Sequence, residues 1–186
     1  GAHVWIGKDG KIHYDATNIA DQFQHLGAGE TTIDTIKYTI KMSNGTLSVG
    51  TLTVVITGTN DAAVITGSST AALSESNAAQ STGGDLKATD VDSSNAFVAQ
   101  SGVDGSNGYG KFSIDAAGTW TYTMNSAHNE FVGGQDYTDS ITVATADGTS
   151  QVITVTMKGT NDAAVISGSS TAELTEAKTK ALDTPA

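Results

Sequence analysis

A fourteen-residue phrase, Gly58-Thr-Asn-Asp-Ala-Ala-Val-Ile-Thr-Gly-Ser-Ser-Thr-Ala71, returns 101 positions later as Gly159 to Ala172 with one change, Thr66 to Ser167. That period is too long for solenoid repeats, which stack in units of about 20 to 50 residues. It matches the roughly 100 residues of an immunoglobulin-like sandwich, so each repeat is expected to be a domain.

A weaker match sets the outer boundaries. Gly10-Lys-Ile-His-Tyr14 parallels Gly118-Thr-Trp-Thr-Tyr122, and each tyrosine is followed nine residues later by a phenylalanine, Phe23 and Phe131. Residues 1–60 therefore read as the later half of a preceding repeat, 61–161 as one complete repeat and 162–186 as the start of a third. Loop insertions between strands absorb the longer spacing from Phe23 to Asn60.

Within each repeat the apolar residues alternate as in strands with one buried face. Leu52, Val54 and Ile56 alternate with threonines and a valine, and Ile153, Val155 and Met157 with Thr154 and Thr156, each run ending at the repeated Gly-Thr-Asn-Asp. Trp120, Tyr122 and Met124 make a further strand, as do Ile36, Tyr38 and Ile40. Asn44-Gly45 and Asp147-Gly148 are hairpin-turn dipeptides. Ile19, Phe23 and Leu26 suit a short helix or a packed loop, and Asn125 to Gly133 allows the same. Aromatic residues are only 6 % of the chain, which favours a thin two-layer core. The fold class expected is all-β: immunoglobulin-like, cadherin-like β-sandwich repeats in tandem.

A net charge of −11 with no arginine argues against nucleic acid, whose affinity comes from Lys and Arg neutralising phosphates. It invites divalent cations, though solubility alone also explains it. With no cysteine, rigidity cannot come from disulfides. No apolar run is long enough to span a membrane, and the first residues lack the pattern of an export signal.

The phrase Val54-Val-Ile-Thr-Gly-Thr-Asn-Asp-Ala62, its copy at Val155 to Ala163, and Ala88-Thr-Asp-Val-Asp-Ser93 resemble the VCBS and related cadherin-like repeats of giant bacterial RTX-type adhesins. The resemblance covers nearly the whole chain. It implies sandwiches strung end to end in a protein exported by type I secretion, with Ca2+ as the cofactor near the junctions. In the cadherin arrangement an Asn-Asp linker, a first-strand glutamate and an Asp-x-Asp share the ions. Carried onto this sequence, these are Asn60 and Asp61, Glu75, and Asp90 with Asp92; the second copy supplies Asn161, Asp162 and Glu176. Ala62-Ala63 departs from the Ala-Pro of many relatives, and the second cadherin asparagine is absent.

The residues themselves leave two readings open. Calcium takes about six to eight oxygens, and an extended Asp90-Val-Asp92 would put both carboxylates on one side. The same Asn and Asp residues also suit ordinary turns. Glu30, Asp34, Asp136 and Asp139, near the start of a penultimate strand, are further candidate ligands or solvated loop residues. Asp104-Gly-Ser-Asn-Gly108 lacks the closing acidic residues of a calcium loop and reads as a turn. His3, His13, His25 and His128 show no zinc spacing. No nucleophile motif or phosphate loop occurs, so no enzyme is expected. Trp5, Trp120, Tyr109, Tyr122 and Phe112 suit core packing better than a sugar platform.

The expectation is a calcium-stabilised spacer of an extracellular, cell-surface adhesin, supporting cell adhesion or biofilm formation, with neighbouring repeats as its partners. Two alternatives stand beside it. One is a glycan- or self-binding module. The other is a fibre subunit in which one copy's tail completes another copy's head by strand addition.

Overall fold

Side-chain alternation places twelve strands in the computed structural model, which describes residues 1–175. The first unit holds β1 (His3–Ile6), β2 (Ile12–Asp15), a 3-10 helix (Thr17–Gln22), β3 (Thr31–Lys41) and β4 (Leu47–Thr57). The second holds β5 (Val64–Gly67), β6 (Thr70–Ser74), β7 (Ser81–Thr89), β8 (Gln100–Asp104), β9 (Gly110–Ile114), β10 (Thr119–Met124), β11 (Asp136–Ala144) and β12 (Ser150–Lys158).

The second unit is a two-layer β-sandwich. One sheet runs β5-β7-β10-β9-β8 and the other β11-β12-β6. All neighbours are antiparallel except β6, which lies parallel to β12 with Thr70 opposite Thr154 and Ser74 opposite Lys158. Between the sheets sit Leu86, Phe112, Trp120 and Tyr122 from one layer and Val143, Ile153, Val155 and Met157 from the other. The threonines between them face outward, as period-two alternation requires. The indole Nε1–H of Trp120 donates to the Ser68 carbonyl at 2.7 Å, so its one polar atom is satisfied inside the core.

The first unit repeats the later half of this plan. The β1–β2 hairpin pairs Val4 with Tyr14, as β9–β10 pairs Phe112 with Tyr122. The β3–β4 and β11–β12 hairpins close through the same turn. Met42 N–H bonds to Thr46 C=O and Gly45 N–H to Met42 C=O, as Thr145 N–H bonds to Thr149 C=O and Gly148 N–H to Thr145 C=O. Gly45 and Gly148 have φ of 85° and 92°, a left-handed conformation that glycine adopts without strain.

One expectation needs correcting. Trp5 is not a core residue: alternation carries Val4 inward and Trp5 outward, where it is 41 % exposed and stacks with His3 at 4.8 Å and His13 at 5.1 Å. The short helix or packed loop expected around Ile19 to Leu26 is a 3-10 helix at Thr17–Gln22 followed by turns, and Asn125 to Gly133 folds as a loop of turns.

Candidate metal centres

The linker between the units is held from both sides. Gly58 belongs to the first unit: its N–H donates to the Glu30 carbonyl at 2.8 Å and its carbonyl accepts from Gly29 N–H at 3.1 Å. Asp61 belongs to the second, its N–H donating to Asp92 Oδ2 at 2.9 Å. After β7 the chain turns at Asp90, whose Oδ1 accepts from the N–H groups of Asp92 (3.0 Å) and Ser93 (2.8 Å). The two carboxylates therefore meet through an Asx turn and not through extended-strand alternation. Asp side chains favour this local bonding over a continued ladder.

Each of these carboxylates commits one oxygen to the backbone and keeps one. Asp90 Oδ2 and Asp92 Oδ1 are buried with no hydrogen-bond partner. The Asp61 N–H pulls the Asp92 carboxyl downward in pKa, but burial and the charges of Asp90 and Asp61 outweigh it, and the group is raised. Glu30 approaches from the first unit: its Oε2 accepts from Gly27 N–H at 3.1 Å, and a Cβ on Gly27 would stand 3.3 Å from the Asp92 carbonyl oxygen. The Asn60 side chain is exposed and donates to the Asp61 carbonyl at 3.0 Å.

Glu75 does not join this cluster. Because β6 runs parallel to β12, the glutamate that follows it emerges where β12 ends, at the opposite end of the sandwich. There its N–H donates to the Lys158 carbonyl, and its Oε2 accepts from the Thr160 N–H at 2.9 Å and hydroxyl at 2.7 Å. Glu75 is only 2 % exposed, and its Oε1 has no partner; nor does the buried Asp162 Oδ2. The structure thus sets Glu75 against Thr160, next in the chain to Asn161 and Asp162, and Asp90 and Asp92 against Asp61, next to Asn60. Glu176 lies outside the described residues.

Three of the remaining candidates sit elsewhere. Asp34 Oδ2 accepts from the Tyr14 hydroxyl at 2.9 Å, and this contact, after burial, raises the tyrosine pKa. Asp139 is fully buried and its oxygens are taken by the N–H groups of Asn107, Tyr109 and Gly110 and by the Tyr122 hydroxyl. Both aspartates bond within a unit, Asp139 with both oxygens and Asp34 with Oδ2. Asp136 begins β11 and is exposed.

Sequence reasoning missed two residues. Thr160 braces Glu75, and its place in the repeated Gly-Thr-Asn-Asp was the available signal. Asp147 reaches the linker from the β11–β12 turn, and the Asp-Gly pair signalled the turn alone.

Four buried side-chain oxygens without partners occur among the described residues: Glu75 Oε1, Asp90 Oδ2, Asp92 Oδ1 and Asp162 Oδ2. All are carboxylate oxygens, and all belong to residues singled out as ligands. Among the described residues no three His, Cys, Asp or Glu side chains converge to hold a metal by themselves. An ion there would also draw on amide and backbone oxygens, the mixture that calcium accepts.

The family model of the bacterial cadherin-like domain matches residues 60–159, the span from the first Asn-Asp to the end of the sandwich. The chain belongs to the bacterial cadherin-like family. No curated protein matches it. The cadherin-like match begins at the linker that the structure ties to the second unit and ends after β12, so it takes in Glu75, Asp90 and Asp92. Among the described residues no helix is long and apolar enough to cross a membrane.

Proposed function

We propose that this chain is a spacer segment of an extracellular bacterial adhesin, non-catalytic, whose unit junctions bind Ca2+ and stiffen as they do so. The observation that carries the reading is the set of four buried, unpartnered carboxylate oxygens divided between the two ends of the second unit. A buried carboxylate without a counter-charge is costly, and a divalent cation removes that cost. At the leading junction Asp61, Asp90 and Asp92, with Asn60 and Glu30, would hold the ion. At the trailing junction Glu75, Asp162 and Asn161 would do so. The ion supplies charge neutralisation and a multi-oxygen cross-link, and the protein supplies the spacing between units.

The size of the effect is adequate. An ion that binds only the assembled junction stabilises it by about 2.7 kcal/mol at one hundred times its dissociation constant. Extracellular modules bind calcium in the range of about 10⁻⁴ to 10⁻³ M. Small-angle scattering and calorimetry in calcium and in EDTA test the proposal. The expected result is a longer, narrower particle with a higher melting temperature in calcium; identical scattering and melting would overturn it.

A second reading has an observation of its own. Residues 163–175 repeat the sequence of β5 and β6 yet form no strand, leaving Val165, Ile166 and Leu174 between 93 % and 98 % exposed. Addition of residues 171–175 to β4 of another copy, in the place β6 takes beside β12, would cover Leu174. Sizing over a wide concentration range separates the readings, because only strand addition makes the mass rise with concentration.

A further inference from the structure

We propose that Asp147 is a positioning residue that latches the linker onto the second unit, so that residues 61–63 move with that unit and the hinge is confined to Thr59 and Asn60. Asp147 sits in the turn between β11 and β12, far from the linker in sequence. Its Oδ2 accepts from the Ala63 N–H at 3.1 Å and stands 3.5 Å from Asn60 Nδ2. Ala63 is buried, 7 % exposed, so its N–H has little access to water and needs an acceptor. Asp147 supplies it.

The acceptor is itself held rigidly. Thr149 donates to the same carboxylate through its hydroxyl at 2.6 Å and its N–H at 3.2 Å, and the Thr145 hydroxyl donates to Oδ1. These donors, the hydroxyls of Thr145 and Thr149 first, hold the Asp147 carboxyl well below the usual carboxylate range.

The two sides of the hinge are unequal in kind. On the first-unit side Gly58 is locked by two backbone hydrogen bonds, and a Cβ there would overlap the Leu26 and Gly27 backbone. On the other side Asp61 N–H and Ala63 N–H are both bound to carboxylates of the second unit, Asp92 and Asp147. Between them Thr59 and Asn60 are exposed, and neither backbone N–H has an acceptor among the described residues. The latch uses no metal ion, so it goes beyond the calcium reading and is tested without calcium.

The chain carries two internal controls. The Asn60-Asp-Ala-Ala-Val64 sequence recurs at Asn161 to Val165, so Ala63 and Ala164 have the same intrinsic amide exchange rate, and Ala164 is exposed. In the first unit the same turn carries Asn44, whose Oδ1 accepts from Thr46 N–H at 3.0 Å. An asparagine thus supports this turn, and D147N should keep it while setting an NH2 against the Ala63 N–H, donor against donor.

The experiment is backbone hydrogen exchange followed by NMR in EDTA. In the unaltered chain Ala63 should exchange at least about tenfold more slowly than Ala164. D147N should abolish most of that difference while the amides of β11 and β12 keep their protection, and N44D should change nothing at Ala63. Two results would overturn the latch: Ala63 exchanging as fast as Ala164 in the unaltered chain, which needs no variant, or Ala63 staying protected in a folded D147N. A calcium response in either case bears on the junction ions alone.

Discussion

At the scale of single residues, the carboxylates of this chain divide by how many of their oxygens are answered. Asp139 is answered fully, by three backbone N–H groups and the Tyr122 hydroxyl. Its partner Tyr122 is in turn pushed up in pKa, by burial first and then by the Asp139 charge. D139A would strand three N–H donors, and we expect a loss of about 3 to 5 kcal/mol in urea denaturation. Y122F removes one donor and should cost about 1 to 3 kcal/mol in the same measurement. Asp92 is answered by half. Its raised pKa means that the folded junction favours the protonated carboxyl, a contribution fully present below 3.8 and lost as pH rises through the raised value. In EDTA the junction should therefore be tighter near about pH 4 than at neutral pH, whereas in calcium acid should loosen it by competing for the ligands. Melting curves at the two pH values in each condition check both signs. The sequence leaves Asp139 a candidate ligand or solvated loop residue, whereas it lies within β11 on the inward face with Ile141 and Val143. That role was not legible because its donors come from a loop some thirty residues earlier.

At the scale of elements, the parallel pairing of β6 with β12 decides where Glu75 acts. An antiparallel pairing would have carried it back toward the first linker; the parallel register delivers it beside Thr160. E75Q separates its two oxygens. An amide oxygen keeps the Thr160 bonds, while the NH2 replaces the oxygen that lacks a partner. We expect the trailing site to lose calcium affinity by about tenfold or more, a step of about 1.4 kcal/mol. In EDTA the variant should melt at or above the unaltered chain, because a buried unpaired charge is gone. Titration calorimetry and thermal melting read the two effects. A variant that melts lower in EDTA would make Glu75 a structural residue only.

At the scale of the whole molecule, a net charge of −11 without disulfides leaves the units to repel one another unless something intervenes. Chelation should then loosen the junctions while the sandwich core, anchored by Trp120, Tyr122 and Met157, persists. The observable is a change in scattering dimensions in EDTA below the temperature at which near-ultraviolet dichroism is lost. Salt should recover part of the change, since screening shortens the range of the repulsion to about 8 Å at physiological ionic strength. If salt had no influence, repulsion between units would not be what calcium opposes.

The sequence alone determined the repeat, the all-β class, four of the strands with their buried faces and most of the residues worth watching, because alternation and turn chemistry act over a few neighbours and the same phrase appears twice. Which of those residues meet was decided only in three dimensions. Sheet order and strand direction arise from how two apolar layers close on each other. That closure sent Glu75 to one end of the sandwich, Asp90 and Asp92 to the other, Asp139 to the interior, and brought Asp147 across more than eighty residues onto the linker.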